Sequence, residues 1–487
     1  MTRLPWILFF LLLLCFVIHP IVDGDIFFYL SYARKFLELG GHFPGQDPFL
    51  YTIKNWHVTH EWLAYLYYFA GVSFFGISGV PIFSFFIWCL SFLGLLIQSV
   101  RLKIENIVSL PIVILVLLSC CQRFIDRAGL FSDAFVSLMI IDLLILFDKR
   151  KHLPNNRLFC YPIVFLLWVN LHPGFIIGLA IYTLFIISHA EDRKAWRSWV
   201  SCFSSYMASL INPQFINGAL YPFKSVLDPG WNVFRKINFE WMPTFISPMV
   251  NTWEVQVFIF LCTITFILLG LAVRKVGWKR SIFPVLIFLI LFYLVQDAVR
   301  FVSTASLGMA GLCLWSLDKF DWPKFQKKRL LLNSTISLIL LMSVLFVFFF
   351  GYKPSSGFRK FGTGVTEENF PIGALEFFQK NKLSGRIFNQ YEWGGYLIWS
   401  LNLDDNLFIH THVDESQFLL IDYYGMSRSR ELFESSVNKY NIKYFLLNNK
   451  IYQIYPKPGL LQILEDGVHW QLIYRDNVAV LFKKVEL

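Results

Sequence analysis

The chain has 487 residues, of which 56% are hydrophobic, 18% aromatic and only 16% charged, and its formal net charge is +10. A disordered chain would lack aromatic residues and carry more charge, and a single soluble globule would not contain several apolar runs close to the roughly 20 residues that cross a bilayer. Ten-residue segments of alternating hydrophobicity, the mark of an outer-membrane barrel, are absent from the sequence. We therefore predict a mainly α, polytopic helical membrane protein.

The basic excess is confined to the first 351 residues, because 15 basic and 15 acidic residues lie between Tyr352 and Leu487. Nucleic-acid binding would need a basic patch on a soluble face, so no nucleic-acid partner is expected. Basic loops on the cytoplasmic side of a membrane account for the excess. All eight cysteines lie in apolar segments without a Cys-x-x-Cys motif, so neither disulfides nor a cysteine-ligated zinc is expected.

The first apolar run follows Arg3 and reaches Val22, and no small-x-small cleavage site comes after it, so we predict an uncleaved first span. Placing the basic clusters in the cytoplasm predicts about eleven spans, a cytoplasmic N-terminus and a C-terminal segment on the outer side. The predicted spans are 4–22, 80–99, 106–120, 128–147, 159–171, 174–188, 199–212, 253–273, 281–296, 299–316 and 331–351.

The stretch Glu61–Gly76 is also apolar enough to cross the membrane. If it crossed, every later basic cluster would move to the outer side. We therefore predict an amphipathic helix that lies on the outer surface, and whether 61–76 crosses the membrane is left open.

Two domains are predicted. Residues 1–351 form a transmembrane domain with long outer loops at 23–79 and 212–252, and residues 352–487 form a small α/β domain on the outer face, after a linker at Lys353–Gly364. The predicted helices of the second domain start at Pro371, Trp393, Arg430 and Pro458, and its predicted strands are Arg386–Asn389, Asn406–Thr411, Lys443–Asn448, Trp470–Tyr474 and Val478–Lys483.

The first outer loop has the densest set of polar residues in the chain. Asp23 and Asp25 are spaced Asp-x-Asp, so they could share a divalent cation such as Mg²⁺ or Mn²⁺, or one of them could act as a general base toward a hydroxyl. They could also simply end a span and face water. The His57-x-x-His60-Glu61 spacing could place two imidazoles on one metal, but packing within the loop is the favoured interpretation.

Cationic side chains on the predicted outer side could bind a phosphate, and arginine suits this best because it can contact two oxygens at once. Arg300 is the leading candidate because it lies at the mouth of a span, and an ion pair with Asp297 is the alternative of equal weight. His172 follows Asn170 at the outer end of a span, where it lines a cavity or caps the helix. The other cationic candidates are Arg34, Arg123, Arg127, Arg235 and Lys236.

Several different short motifs follow one another and together extend over nearly the whole chain. In the first outer loop they are Asp25-x-x-x-Tyr29-x-x-x-Ala33-Arg34, Gly40-Gly41, Pro44, Asp47-Pro48-Phe49-x-Tyr51-Thr52 and His60-Glu61-Trp62-Leu63; later come Trp168-Val169-Asn170-Leu171-His172, Ile211-Asn212-Pro213, Glu240-Trp241-x-Pro243 and Arg386-Ile387-Phe388-Asn389-x-Tyr391-x-Trp393-Gly394-Gly395-Tyr396-Leu397. In this order the motifs resemble bacterial membrane proteins of the GT-C glycosyltransferase superfamily, which take a sugar from a polyprenyl-phosphate carrier.

The resemblance implies roles for single residues. It implies that Asp25 is the general base. It implies that Asp23 ligates a metal with Asp25 only if the chain belongs to the Asp-x-Asp members of the superfamily. It also implies that Asp126 is an acidic site residue, for which a helix-end ion pair is the alternative. The candidate substrate-binding residues are Arg300, Arg123, Arg127, Arg34, Tyr29, His60, Glu61, His172 and Glu240. The chain departs from the family at Phe408–Asp414, where relatives have an Asp-Gly-Arg-like turn, and at Glu61-Trp62-Leu63.

The leading functional prediction is a glycosyltransferase of the cytoplasmic (inner) membrane that uses a lipid-linked sugar donor, with no nucleotide, and modifies an envelope glycan, lipid or protein. Two alternatives come from other classes of protein. A transporter or flippase for lipid-linked saccharides would show paired broken helices and internal repeats, and neither is visible in the sequence. A non-catalytic envelope assembly protein would have Asp25 away from any cavity.

Overall fold

The computed structural model describes residues 3–53, 60–148, 155–188, 195–227, 239–320, 329–402, 404–413, 422–450, 460–465 and 469–485. Its backbone contacts divide the chain into two compact units. The bundle unit comprises Met1–Pro20, Thr59–Ala64 and Ser78–Thr363. The sheet unit comprises Ile21–Val58, Tyr65–Ile77 and Gly364–Leu487, so most of the first predicted outer loop groups with the C-terminal residues. The predicted domain boundary at 351/352 stays a prediction.

The described residues form helices throughout the bundle unit and around a small sheet. In chain order the helices are α1 Leu4–Val17, α2 Asp25–Glu38, α3 Trp62–Phe75, α4 Gly79–Arg101, α5 Asn106–Ser119, α6 Gly129–Asp148, α7 Asn155–Leu158, α8 Tyr161–Leu171, α9 Phe175–Ser188, α10 Ala195–Ala208, α11 Ile216–Leu227, α12 Trp253–Val276, α13 Ile282–Asp297, α14 Val302–Asp318, α15 Arg329–Phe350, α16 Ile372–Lys380, α17 Gly394–Leu401, α18 Arg430–Tyr440 and α19 Leu460–Leu464. The helix α2 lies in the sheet unit, α3 divides between the units at Ala64, and α16 to α19 surround the sheet.

Five helical segments among the described residues are long and apolar enough to cross a membrane: Trp62–Arg101, Gly129–Asp148, Trp253–Val276, Val299–Asp318 and Leu330–Phe350. Five shorter apolar helices accompany them. The polytopic helical membrane class is therefore confirmed. The count of eleven spans, and the placement of 61–76 on the surface, stay predictions.

The first helix is shorter than the predicted span 4–22. It ends at Val17, and Ile18 is already extended, with ψ 96°. Pro20 explains the early end, because proline has no N–H for a helical hydrogen bond and disfavours the helical conformation of the residue before it.

The sheet has four strands, β1 Ile387–Asn389, β2 Tyr444–Asn448, β3 Trp470–Arg475 and β4 Ala479–Lys484, in the order β1-β2-β4-β3. The pair β1/β2 is parallel and the other pairs are antiparallel. The predicted strand Asn406–Thr411 is wrong. Its backbone makes only isolated bridges, from Leu407 to Leu50 and to Ile387. The amide of Phe408 still donates to the carbonyl of Ile387 in β1, but the next amide, that of Ile409, donates to the Asn389 side chain, so the pairing does not continue.

The segment predicted as a linker is bound to the bundle unit over residues 352–363, which we name the docked loop. Tyr352 and Arg359 exchange two backbone hydrogen bonds of 2.8 Å. Glu254 of α12 accepts both the backbone N–H of Ser355, at 2.8 Å, and its hydroxyl, at 2.7 Å. Arg359 is only 4% exposed. The sequence prediction of a plain linker missed these buried polar contacts.

Candidate functional site

Three arginines and a glutamate from three separate chain segments meet in the bundle unit. Arg123 and Arg127 come from the turn that joins α5 to α6, Glu240 from the 3-10 helix Phe239–Trp241, and Arg300 from the 3-10 helix Val299–Phe301. The Nη1 atoms of Arg123 and Arg127 lie 3.1 and 2.7 Å from the two carboxylate oxygens of Glu240. We name these four residues the arginine cluster.

The two 3-10 helices that carry Glu240 and Arg300 are tied to each other. The backbone N–H of Val299 donates to the carbonyl of Met242 at 3.0 Å. The guanidinium of Arg300 lies 4.2 Å from the centre of the Trp241 ring, a cation–π distance. The structure thus gives Arg300 an indole neighbour, where the sequence offered an ion pair with Asp297 as the alternative.

The charge balance of the arginine cluster favours an added anion. Burial raises the pKa of Glu240, but the charges of Arg127, Arg123 and Arg300 outweigh this effect and lower it to about 2. The carboxylate is therefore ionised at neutral pH and offsets only one of three guanidinium charges. Arg123 is 8% exposed, and its Nε and Nη1 hydrogens find no well-directed acceptor among the described residues, although Nη1 is close to Glu240.

A second polar group lies beside the arginine cluster. Oε1 of Glu61 lies 3.8 Å from Nε2 of His60 and 3.6 Å from Nε2 of His172. A methyl group placed on Gly129 would lie 3.6 Å from both Nη2 of Arg123 and Nε2 of His172, so the two groups share one face of the bundle unit. The absence of a side chain at Gly129 leaves room between them.

The ring of His172 is held in one orientation. Its Nδ1 accepts the backbone N–H of Gly174 at 3.0 Å and lies 2.7 Å from the hydroxyl of Ser132, which itself accepts the indole N–H of Trp168. Because Nδ1 is an acceptor, the ring proton is assigned to Nε2, on the side of Glu61. Burial lowers the pKa of His172 well below its ordinary value, with Arg300, His60 and Arg123 adding to the effect, so the ring is neutral. His60 stacks on Tyr221 at 3.9 Å.

Asp126 lies in the same turn as Arg123 and Arg127, but its carboxylate is 4% exposed. The hydroxyl of Ser84, on α4, donates to its Oδ1 at 2.6 Å. The resemblance implied an acidic site residue at this position, and the structure buries its side chain in the bundle unit.

The remaining predicted site residues lie in the sheet unit, at the start of α2. This helix begins at Asp25, and Oδ1 of Asp23 accepts the backbone N–H of Asp25 at 3.1 Å. Both carboxylates are partly exposed. A side chain on Gly395 would lie 2.6 Å from the carbonyl oxygen of Gly24 and 2.8 Å from the amide of Phe28. Gly395 in the Trp-Gly-Gly motif therefore lets α17 approach the first turn of α2, whereas Gly394 lies against the backbone of Ile409 and His410.

Tyr29 and Arg34 are occupied by aromatic neighbours in the sheet unit. Tyr29 is 3% exposed and its ring stacks on Tyr65 at 4.5 Å. The guanidinium of Arg34 lies 4.9 Å from the ring centre of Trp399. Their contacts support α2, whereas Asp23 and Asp25 keep exposed surface.

Four residues have contacts at these places that the sequence did not predict. Asp47 appeared only in a motif of the first outer loop, His410 and His412 only within the departure from the family, and Arg359 only in the predicted linker. In the structure, Nε2 of His410 lies 2.7 Å from Oδ2 of Asp47, with both side chains buried. Arg359, from the predicted linker, donates to the carbonyl of Phe124 at 2.6 Å, next to the arginine cluster. The spacing in sequence gives no signal for either contact. The candidates His57, Arg235 and Lys236 lie outside the described residues.

Comparisons with known proteins identify the fold. No family model and no curated protein sequence matches the chain. Among solved structures, the archaeal oligosaccharyltransferase AglB from Archaeoglobus fulgidus, in complex with an inhibitory peptide and a dolichol-phosphate, matches 99% of this chain and 74% of its own at 12% identity and TM-score 0.57. An Archaeoglobus fulgidus oligosaccharyltransferase in the apo form matches 96% of this chain and 71% of its own at 10% identity and TM-score 0.54. The arabinofuranosyltransferase AftD from Mycobacteria matches 99% of this chain and 42% of its own at 14% identity and TM-score 0.54.

This chain has the GT-C fold. The resemblance that the sequence motifs indicated is thereby confirmed at the level of the fold. Within this fold, the structure brings Arg123, Arg127, Arg300 and Glu240 together in the bundle unit, with Glu61, His60 and His172 beside them. It places Asp23, Asp25, Tyr29 and Arg34 on α2 or just before it, in the sheet unit.

A divalent cation fits the described residues poorly. They include no group of three or more histidine, cysteine, aspartate or glutamate side chains arranged to hold a metal. One oxygen of Asp23 is already an acceptor for the Asp25 amide. Hard cations need several oxygen ligands, and these two carboxylates alone offer few.

Proposed function

We propose that this protein is an integral-membrane glycosyltransferase that moves a sugar from a polyprenyl-phosphate donor to an acceptor hydroxyl. The GT-C fold supports this class, because the solved structures with which it is shared are an oligosaccharyltransferase and an arabinofuranosyltransferase. A flippase of lipid-linked saccharides and a non-catalytic assembly protein, the two alternatives, are not favoured by that likeness.

The observation that carries the proposal is the largely buried excess of positive charge in the arginine cluster. The carboxylate of Glu240 interacts with all three guanidinium groups and that of Glu61 with Arg300, and Nε of Arg123 is buried without a hydrogen-bond acceptor among the described residues. Buried donors without acceptors cost free energy, and a phosphate would supply the acceptors. Arginine binds phosphate oxygens in pairs. The carrier phosphate of the donor is therefore the ligand that we assign to this cluster.

Asp25 is the general base in this mechanism. Its carboxylate takes the proton of the acceptor hydroxyl, the resulting oxygen attacks the anomeric carbon, and the bond from that carbon to the carrier phosphate oxygen breaks with inversion. The released polyprenyl phosphate carries the electron pair of the broken bond as negative charge. Guanidinium groups at that phosphate stabilise the charge that develops as the bond breaks.

The same proposal includes a topology with eleven spans, a cytoplasmic N-terminus and residues 352–487 outside the inner membrane. The confinement of the basic excess to the first 351 residues supports it. In a cysteine-free background, a cysteine at position 380 should react with an impermeant thiol reagent from outside, and one at position 279 should not. The reverse labelling pattern would contradict this topology.

Carrier binding tests the proposed function directly. The full-length protein in lipid nanodiscs should bind undecaprenyl phosphate and should not bind undecaprenol, which lacks the phosphate. We expect Arg123→Gln to weaken binding by about tenfold or more, the loss of a charge-assisted hydrogen bond. Arg274→Gln, at an exposed position near the end of α12, is the matched control and should bind like the wild type.

Two results would contradict the proposed function. One is equal affinity of the wild type for undecaprenyl phosphate and undecaprenol. The other is equal affinity of the wild type and Arg123→Gln for undecaprenyl phosphate, provided that both elute as folded monodisperse protein. Because removing Arg123 leaves Glu240 with one partner fewer, the double variant Arg123→Gln/Glu240→Gln repeats the measurement without an unbalanced carboxylate.

A requirement for a divalent cation at Asp23 and Asp25, which the Asp-x-Asp spacing left open, is tested separately. The proposed mechanism has no metal step, so we expect transfer by the purified enzyme to continue in EDTA at the untreated rate. Loss of transfer in EDTA, with recovery on addition of Mg²⁺ or Mn²⁺, would add a cation to the mechanism and leave the role of Asp25 as base intact.

A further inference from the structure

The turn at residues 410–412 is built around a buried histidine in the sheet unit. His410 is fully buried, and its Nε2 lies 2.7 Å from Oδ2 of Asp47. Its Nδ1 accepts the backbone N–H of His412 at 3.2 Å. Since Nδ1 is an acceptor, the ring proton of His410 is on Nε2 and is donated to Asp47. The other oxygen of Asp47 accepts the amides of Phe49 and Leu50, at 2.9 and 3.1 Å, which fixes the carboxylate.

These hydrogen bonds hold the turn that carries His412, and the ring of His412 packs against α2. Its ring lies parallel to that of Phe28, with the ring centres 4.3 Å apart and an angle of 10° between the planes. Its edge faces Tyr29 at 5.4 Å. The Phe28 and Tyr29 side chains are buried, whereas His412 is partly exposed.

Helix geometry relates this position to Asp25. Phe28 and Tyr29 are three and four residues after Asp25 on the same helix, and side chains at these spacings are neighbours on the helix surface. The imidazole that covers Phe28 therefore lies on the face of α2 that begins with the Asp25 carboxylate. A partly exposed carboxylate and a partly exposed imidazole share this face.

We propose that His412 is a substrate-contacting residue of the Asp25 site, which hydrogen-bonds a hydroxyl of the acceptor and orients it toward Asp25. The ligand class is a polyhydroxylated molecule, since an imidazole can donate to or accept from a hydroxyl. The hydroxyl of Thr411 lies 3.3 Å from Nδ1 of His412, so we assign the ligand contact to Nε2. Asp47 and His410 are positioning residues that act through the backbone of His412. This assignment rests on the proposed glycosyltransferase function.

The experiment distinguishes hydrogen bonding by the nitrogen atoms of His412 from the packing of its ring on Phe28. His412→Phe keeps a planar ring on Phe28 but has no hydrogen-bonding atom, and His412→Gln keeps a hydrogen-bonding group without an aromatic ring. Each full-length variant is measured in nanodiscs for affinity toward undecaprenyl phosphate and for transfer of radiolabelled sugar from a lipid-linked donor pool extracted from the source membranes to the extracted acceptor fraction.

We expect His412→Phe to lower kcat/KM for the acceptor by about tenfold, the loss of one substrate hydrogen bond. Its affinity for undecaprenyl phosphate should stay within twofold of the wild type. His412→Gln should recover part of the transfer rate. His410→Gln should raise the acceptor KM more than it lowers kcat, because it displaces a binding group without removing one.

Transfer by His412→Phe within twofold of the wild type would overturn the assignment of His412 and leave the proposed function standing. A fall in carrier affinity equal to the fall in transfer would also overturn it, since that result indicates a damaged fold. If the wild type neither binds undecaprenyl phosphate nor transfers sugar, the proposed function is overturned and the assignment falls with it.

Discussion

The arginine cluster and the face of α2 that carries Asp25, Phe28 and Tyr29, which we name the Asp25 face, are held by different kinds of contact. The arginine cluster is held by ion pairs and a cation–π contact among four residues that lie far apart in sequence. The Asp25 face is held by stacked rings and by a close approach of glycine backbone to the start of α2. A phosphate is recognised by charge, whereas a sugar hydroxyl is recognised by the exact placement of a few polar atoms on a rigid support. Variants of the two regions should therefore affect different measurements.

The largest expected effect is at Asp25. Asp25→Asn keeps the size of the side chain but removes the base, so we expect transfer to fall by about 100-fold or more, the usual contribution of a general base. Carrier affinity and the yield of folded protein should be unchanged, as measured by undecaprenyl phosphate titration and size-exclusion chromatography. Transfer at more than half of the wild-type rate would remove Asp25 from the mechanism. Reduced affinity for undecaprenyl phosphate would contradict the separation of the two regions.

Replacing Gly395 with alanine should have the next largest effect on stability and transfer. Gly395→Ala would force its new carbon against the carbonyl of Gly24 and the amide of Phe28, at 2.6 and 2.8 Å. We expect a loss of stability of about 1–3 kcal/mol, as for overpacked interiors, and a lower transfer rate from a displaced Asp25. Thermal unfolding followed by circular dichroism measures the first effect. Gly45→Ala, at an open position of the same unit, is the matched control and should leave both quantities unchanged.

Replacing Arg359 should have a smaller and indirect effect on phosphate binding by the arginine cluster. Its Nη1 donates to the carbonyls of Phe124 and Cys121, at 2.6 and 3.3 Å, and these residues flank Arg123 in the chain. Arg359→Gln should therefore weaken undecaprenyl phosphate binding severalfold, by loosening the turn that carries Arg123. The exposed neighbour Lys360, changed to Gln, is the control. Equal binding by both variants would show that the docked loop does not support the cluster.

The smallest expected effect is the pH dependence due to Glu240. Its pKa in the folded protein is about 2, below the ordinary value of 4.5. A lowered pKa stabilises the folded state at pH values above the ordinary pKa, and this contribution is lost as the pH falls toward the folded pKa. The stability difference between the wild type and Glu240→Gln should thus be constant from pH 5 to 8 and shrink below about pH 4.5. A difference that changes between pH 6 and 8 would contradict this assignment.

The sequence predicted the helices better than the site. Apolar runs such as 128–147 and 253–273 became α6 and α12, because a bilayer requires continuous backbone hydrogen bonding within each segment. Asn406–Thr411 pairs with β1 only as far as Phe408, because the next amide, that of Ile409, donates to the side chain of Asn389, 20 positions away. A tertiary contact of this kind has no periodic signal in the sequence.

Single site residues could be predicted by chemical type, but their partners could not. Arg300 was predicted to bind a phosphate, with an ion pair to Asp297 as the alternative; its guanidinium lies on Trp241, and Glu240 joins Arg127 from 113 positions away. Asp126 was predicted as an acidic site residue, with a helix-end ion pair as the alternative, and it is buried against Ser84. Spacing along one helix or loop indicates local neighbours only, so pairs that come from separate segments appear only in the folded chain.

The buried pair of Asp47 and His410 has a consequence for evolution. The two residues are 363 positions apart, and each would leave the other as an uncompensated polar group in the interior if it were replaced alone. Relatives that keep the aspartate at position 47 but have a different turn at 410–412 should therefore supply another buried donor to that carboxylate. A change at position 410 alone, without such a donor, should be rare.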